Sequence, residues 1–408
     1  MLPVGFERQV IVAVRNHLRN KTVAFCGTRG LPANYGGFET IMDEISKHFV
    51  ENGYDAVVYC RKSSCADKAL EYHQGRRLVY VKGSSRRELD TFVSAFEAGW
   101  HVLRHRREYD YVIWFNNANI PGILLTLLSG LPMSVNTDGM EWRRAKWTWP
   151  FKLYYLLASL LISLLCGSVI SDSKRMQAFY KETFSKDTDF IPYGIPQTPI
   201  VPPLKELAIL NHYGVEPGRY CLQITRIEPE NLPLEATRAF DAANLATNGF
   251  KFLVVGYKGG TTYQQQLKAM SGKNGIVVVD AEYNAEVVTV LRTNCFCYIH
   301  GNSVGGTNPA LLEAMANCPR VLAIDVQFNR EVLGDEGRFF TSDDMVAAFR
   351  SILSYPDNSA GLRERVHSHY QWDAVAKSYM NLVEGQPANY SPTGRSPETF
   401  ERESGVSA

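Results

Sequence analysis

The chain has 408 residues, 45% hydrophobic and 21% charged, with 43 basic against 42 acidic side chains and a formal net charge of +1. That length exceeds one ordinary core and suits two domains of roughly 150 to 200 residues. The balanced charge excludes a strongly basic nucleic-acid binder and confines any basic patch to a local surface.

Residues 1–20 carry Arg8, Arg15, His17 and Arg19 among Val10, Ile11, Val12, Val14 and Leu18. Without a compact apolar stretch or a small-residue cleavage site they read as an extension helix rather than a secretory signal. Thr22–Cys26 is a short buried strand that runs into the glycine-bearing loop Gly27–Gly37, and a helix from Phe38 to about Asn52 follows, with Ile41, Ile45, His48 and Phe49 on its apolar side. Strand, glycine loop and helix open a nucleotide-type α/β domain. Further strands are predicted at 55–60, 78–81, 111–115, 133–137, 169–171 and 189–192, separated by helix-length stretches such as Arg87–His105, so the sheet is parallel. The apolar run Leu153–Ile170 approaches spanning length. Three serines and Gly167 interrupt it, and Gly167-Ser-Val-Ile-Ser171 reads as a separate strand, leaving a buried or membrane-touching helix.

Four prolines between Ile195 and Pro203 break regular structure and mark a linker. The strand-helix alternation restarts at 220–225, 251–255, 276–279, 297–300 and 320–324. The predicted architecture is α/β: two doubly wound, Rossmann-like domains at 21–195 and 204–384 facing across a cleft, with a linker at 196–203. The tail 385–408, rich in Pro, Ser, Glu, Gly and Arg, is expected to lack fixed structure. The cysteines (Cys26, Cys60, Cys65, Cys166, Cys221, Cys295, Cys297, Cys318) fall mostly in apolar runs. Cys295-Phe-Cys297 sets two thiols on one strand face, poor geometry for a zinc knuckle or redox pair. Buried thiols in a reducing cytoplasm are expected.

Two loops carry the candidate chemistry. Gly27–Gly37 matches neither the GxGxxG dinucleotide spacing nor the Walker A pattern. It does place Gly36 and Gly37 before a helix N-terminus, where free backbone N–H groups and the helix dipole favour a diphosphate, with Glu39 in the first turn. In the second half, an apolar strand ends at His300; the polar loop through Gly305, Gly306, Thr307 and Asn308 then leads into a helix that carries Glu313. Amides beside paired glycines suit phosphate, and a carboxylate one or two turns into the helix suits sugar or ribose hydroxyls. Arg226 ends the strand 220–225 and heads Arg-Ile-Glu-Pro-Glu-Asn231. There a guanidinium can neutralise a leaving diphosphate, or pair with Glu228 or Glu230. Asp187-Thr-Asp189 is the one plausible metal-holding DxD pattern, and its place before a short strand reads as a solvated turn.

GTRGLPANYGGFET (27–40), NTDGMEWRRAKW (136–147), ISDS (170–173), IPYG (191–194), RIEPEN (226–231) and YIHGNSVGGTNPALLEAM (298–315) together resemble the GT-B family-4 glycosyltransferases. The similarity is to the branch of bacterial polysaccharide rhamnosyltransferases, and it spans about residues 21–380. It implies a retaining, metal-independent transferase without a cofactor, taking a sugar, rhamnose from dTDP-rhamnose first, to a lipid-linked saccharide in capsule or exopolysaccharide assembly. It implies a cytoplasmic protein, peripheral on the inner membrane face. By that resemblance Arg226 is the phosphate-binding arginine, and the family's usual lysine five residues later is Asn231. Glu313 is the second glutamate of the family's paired-glutamate motif, and Gly305 stands where the first would be. Gly36, Gly37, Gly305, Gly306, Thr307, Asn308 and Asn231 are then donor-side; His300 is a catalytic candidate; Asp138, with Glu39 and Glu141, is acceptor-side, and Asp138 orients the acceptor. Trp142, Arg143, Arg144, Lys146, Trp147 and Trp149, ahead of the apolar helix, suit an anionic membrane surface. The competing readings are a catalytically silent sugar-nucleotide-binding protein, a family-4 transferase with another donor sugar, and a nicotinamide enzyme, the last opposed by the missing GxGxxG.

Overall fold

The structure is a computed structural model that describes residues 20–32, 37–64, 70–84, 86–137, 139 and 148–392. The chain divides into two compact units: residues 1–137, 157–170 and 376–388, and residues 138–156, 171–375 and 389–408.

The strands of the first sheet are β1 (Thr22–Cys26), β2 (Asp55–Arg61), β3 (Tyr72–His73), β4 (Arg76–Val81), β5 (Tyr111–Phe115), β6 (Met133–Asn136), β7 (Ser168–Ser171) and β8 (Asp189–Phe190), in the order β3-β4-β2-β1-β5-β6-β7-β8. β3 runs antiparallel to β4. β1 and β5 are buried along their whole length, as central strands covered on both faces must be. The helix Gly37–Glu51 buries Ile41, Met42, Ile45 and Phe49, and Phe49 meets Phe25 of β1 edge to face at 5.4 Å.

Helices Arg87–Arg104, Ile120–Ser129 and Trp149–Leu165 each connect to a strand lying further along the sheet in the same direction. Right-handed crossovers therefore set all three on one face. The first two touch backbone to backbone: a Cβ on Gly99 would stand 2.5 Å from the carbonyl oxygen of Gly122, and a Cβ on Gly122 would stand 2.3 Å from that of Ala95 and 2.3 Å from the Trp114 ring. Trp114 fills the space beneath and donates its indole N–H to Thr126 at 3.0 Å.

The second sheet comprises β9 (Tyr220–Ile224), β10 (Lys251–Tyr257), β11 (Ile276–Asp280), β12 (Cys297–His300), β13 (Val321–Ile324) and β14 (Arg338–Phe340), in the order β11-β10-β9-β12-β13-β14. All of its pairings are parallel. Its core is centred on Phe240, Phe252 and Phe349, whose rings lie 5.5 to 6.2 Å apart.

The predicted strands are present, shifted by a residue or two at their ends. β3 and β14, too short for periodicity to show, were not anticipated. Residues 191–202 hold no regular structure, as the prolines require. The unit boundaries differ from the expected 21–195 and 204–384. The last helix, Trp372–Val383, joins the first unit from Ala376 because Asn136 donates to the Tyr379 hydroxyl, while Glu384 pairs with Lys21 at 2.7 Å and accepts from Tyr54 at 2.9 Å. Residues 171–203 sort with the second unit. The tail stays packed past 385: Ala388 and Tyr390 are buried, with the Tyr390 hydroxyl donating to the His369 carbonyl. Residues 393–408 lie outside the described residues, as do the expected extension helix and Cys65. The other seven cysteines are buried.

If the Gly99–Gly122 approach sets the helix spacing, Gly122→Leu will lower unfolding stability by about 2 kcal/mol or more through overpacking. Gly167→Ala, where a Cβ would meet nothing within 4 Å, will stay within about 0.5 kcal/mol of the parent. Urea unfolding of the two variants measures the difference.

Candidate functional site

Loops at the C-terminal ends of parallel strands bind ligands where the strand order reverses. In the second sheet that point lies between β9, which leads to β10 and β11 on one side, and β12, which leads to β13 and β14 on the other. Arg226 follows β9, and the loop Gly301–Asn308 follows β12.

The two loops are stitched together. Ser303 donates its backbone N–H and its hydroxyl to the Glu230 carbonyl at 2.9 and 2.8 Å. Gln223 donates to the Asn231 carbonyl at 2.9 Å, and a Cβ on Gly301 would stand 2.2 Å from that same oxygen. Asn329 secures the far side, donating to the Asn302 carbonyl at 3.2 Å. Beyond this brace, the backbone N–H groups of Val304, Gly305, Gly306 and Thr307 donate to no acceptor among the described residues. Gly305 has φ +147°, open to glycine, and a Cβ there would meet nothing within 4 Å. Gly306 has the opposite constraint, since a Cβ would stand 2.0 Å from Asp172 Oδ1. The Thr307 hydroxyl donates to the Asp172 carbonyl, and Asn308 caps the helix Pro309–Asn317 by accepting from Ala310 N at 2.9 Å.

Arg226 is exposed, and its guanidinium makes no ion pair or hydrogen bond among the described residues, so the pairing with Glu228 or Glu230 is not formed. Asn231 lies inside the loop rather than on its surface: it is 1% exposed, and its side-chain N–H donates to the Arg226 carbonyl at 2.8 Å. The expected donor contact from Asn231 is thus replaced by support for the arginine's backbone. Glu313 is partly exposed and forms an ion pair with Arg292, a buried residue at the end of the helix Ala285–Thr293. Burial works against the Arg292 charge, but the Glu313 carboxylate outweighs it and holds its pKa above the ordinary value. His300 is fully enclosed, and its Nε2 has no hydrogen-bond partner. Burial first, and the Arg292 charge second, push its pKa down to about 3, so the imidazole is neutral at physiological pH. A group so enclosed meets almost no solvent in this arrangement; it ends β12, where the loop begins.

Asp187 of the DxD pattern pairs with Lys181 at 2.7 and 2.8 Å on an exposed turn. No group of three or more His, Cys, Asp or Glu side chains among the described residues is placed to hold a metal.

In the first unit the reversal lies between β1 and β5. Asn119, after β5, donates to the Gly27 carbonyl at 2.9 Å and to the Phe115 carbonyl at 2.7 Å, tying the two loops together. Gly37 opens its helix, and the Glu39 carboxylate accepts from Arg29 N at 3.2 Å, so it braces the glycine loop from within. Gly36, Asp138 and Glu141 lie outside the described residues. Asn119 and Arg292 were not anticipated. The run Asn-Asn-Ala-Asn directly after the apolar strand 111–115 was a usable signal for the former; nothing local marked the latter.

A family model described as a domain of unknown function (DUF1972) matches residues 20–196. No curated protein matches the chain by sequence. Among solved structures, a sucrose-phosphate synthase from Thermosynechococcus elongatus superposes with a TM-score of 0.73 at 16% identity, covering 90% of this chain and 99% of that one. HepE of Anabaena, solved with UDP-glucose, gives 0.67 at 14% identity, covering 90% of this chain and 100% of its own. A UDP-forming α,α-trehalose-phosphate synthase from Burkholderia vietnamiensis gives 0.62 at 12%, covering 93% and 100%. The fold is that of the GT-B glycosyltransferases.

Glu331 supplies a pH-dependent element beside the loop. Its carboxylate accepts from Lys174 N at 2.9 and 3.1 Å, at the start of the helix Lys174–Phe184. Burial raises its pKa from 4.5 to about 7 against the opposing pull of those N–H groups, Lys174 and Arg365. A raised carboxyl pKa means that the folded state binds the proton more tightly, so this contribution is whole below pH 4.5 and is lost as pH rises toward 7. Glu331→Gln keeps an acceptor and removes the titration. The stability of the parent relative to this variant will therefore fall between pH 4.5 and 7 by on the order of 1–3 kcal/mol; a parallel pair of melting curves across that range would refute the assignment.

Proposed function

We propose that the chain is a glycosyltransferase moving a sugar from a nucleoside diphosphate to an acceptor hydroxyl. The observation that carries this reading is the four consecutive amides at 304–307 and, on the adjacent loop, the Arg226 guanidinium, all without a partner among the described residues, at the strand-order reversal of a GT-B fold. Unpaired N–H groups and a guanidinium form a preorganised cradle for a diphosphate, and they stabilise the charge that grows on it as the sugar leaves. That charge stabilisation is the basis for reading the chemistry as metal-independent. Glu313, oriented by Arg292, accepts from ribose hydroxyls. The acceptor attacks from the face the diphosphate vacates, so configuration is retained, and the departing phosphate takes the acceptor proton. Asp138 orients that acceptor.

The motif resemblance supports dTDP-rhamnose as donor and a lipid-linked saccharide of a capsule or exopolysaccharide pathway as acceptor, which places the reaction at the cytoplasmic face of a membrane. HepE was solved with UDP-glucose, so UDP-glucose is the second donor to assay. The resident machinery in this reading is side chain and backbone alone, with no cofactor.

The exposed Arg226 side chain makes no hydrogen bond or ion pair among the described residues, so Arg226→Ala will leave the melting temperature unchanged while lowering sugar transfer about a hundredfold, the cost of losing one preorganised donor to a developing anion. Transfer at the parental rate would sink the role given to Arg226. Thermal stabilisation by dTDP-rhamnose or UDP-glucose in the parent, absent with unrelated sugars, tests the donor class directly.

A further inference from the structure

The helix Trp149–Leu165 has 17 residues, and its exposed leucines are Leu153, Leu156, Leu157, Leu160, Leu161, Leu164 and Leu165. They recur at intervals of three and four, a continuous apolar stripe along one side. Ala158, Ser159, Ile162 and Ser163 on the other side are buried, so the small and polar residues face inward and the leucines face outward, Leu164 by 68%. A second stripe was not visible in the sequence: Leu89, Phe92, Phe96 and Trp100 are all exposed along the helix Arg87–Arg104. Between the two lies Leu128 of the helix Ile120–Ser129, 73% exposed. Right-handed crossovers set these helices on one face of the first sheet, and the Gly99–Gly122 approach locks two of them side by side.

Two helices roughly 25 Å long and a shorter one of roughly 15 Å offer an apolar area of about 500 Å², within the upper range of what ordinary monomers expose. No helix among the described residues is long and apolar enough to cross a membrane. The charge on this face selects its partner. The helices Ile120–Ser129 and Trp149–Leu165 hold no acidic residue and one lysine, Lys152. Arg87–Arg104 carries three acidic residues, Glu88, Asp90 and Glu97, of which Asp90 is turned to Arg61 at 3.3 Å and Glu97 is half-buried. Arg104, Arg106 and Arg107 at its C-terminal end are exposed and form no ion pair among the described residues. Apolar centre, tryptophan and a cationic rim are the attributes of a surface that seats in the headgroup layer of an anionic bilayer.

We propose that the outer face formed by helices 87–104, 120–129 and 157–165 of the first unit is a docking surface for anionic lipid bilayers. It extends the lipid-linked acceptor reading above and is tested apart from it. Flotation of the full chain with vesicles of phosphatidylglycerol and phosphatidylcholine at low salt, and with phosphatidylcholine alone, gives the comparison. The parent is expected to float with the anionic vesicles and much less with the neutral ones. The double variants Phe92→Glu/Phe96→Glu and Leu160→Glu/Leu164→Glu should each reduce the bound fraction about tenfold or more, through lost apolar burial and added negative charge. Their melting temperatures should fall by no more than a few degrees, because each replaced side chain is between 37% and 68% exposed. Equal flotation of parent and variants, or no flotation of the parent, overturns the proposal. So does a dimer in lipid-free solution that the Phe92→Glu/Phe96→Glu pair dissociates, since the face would then join two copies. Stabilisation by nucleotide sugar is read on the same variants. If it is missing in the parent while flotation holds, the transferase reading fails and the docking surface stands.

Discussion

A parallel sheet sends the loops after its strands to one edge, and where the strand order reverses, neighbouring loops diverge and leave main-chain donors with no helix or strand to satisfy them. Between β9 and β12 this divergence is held open by a brace of backbone-directed hydrogen bonds from Gln223, Ser303 and Asn329. Once the carbonyls of Glu230, Asn231 and Asn302 have taken those bonds, the amides of 304–307 remain as donors with no acceptor among the described residues. The candidate chemistry of the second unit rests on this constraint. Arg226 lies on the adjacent loop, where Asn231 pins its carbonyl while the exposed guanidinium makes no ion pair or hydrogen bond among the described residues.

Beneath that loop the arrangement is costly by itself. Arg292 is taken almost wholly out of water, and a buried ion pair seldom stabilises a fold more than apolar residues of equal volume would. Its partner Glu313 is only partly buried, so one charged end of the pair keeps contact with solvent. His300, beside it, is kept neutral by burial and by the same guanidinium. The three residues make sense as a device that fixes a carboxylate in one orientation, a use of binding geometry that stability does not explain.

The first unit uses the same reversal with different residues, Asn119 and Glu39 bracing the loop after β1 from two sides. Its helical layer also carries a contradiction for a water-exposed surface. Gly99, Gly122 and Ala95 let the inner contact close to backbone distance, so the fold is secured from within. The outward leucines and aromatics of helices 87–104 and 157–165 add nothing to that packing. Their periodicity is that of a buried face, turned outward.

The sequence by itself determined the two parallel α/β sheets and the position of nearly every strand, because a short apolar run between turn residues is a local signal. It also singled out the loops bearing Gly37, Arg226 and Glu313, since paired glycines before a helix and an arginine after a strand can be read along the chain. Tertiary structure decided what those residues touch. Asn231 turned inward, His300 became enclosed, Glu313 acquired a partner 21 positions away in Arg292, and the final helix crossed from one unit to the other. The outward stripe of helix 87–104 belongs to the same class. Periodicity reveals that a helix has an apolar side; which side faces the sheet depends on close approaches such as Gly99 to Gly122, made between segments with no local pattern in common.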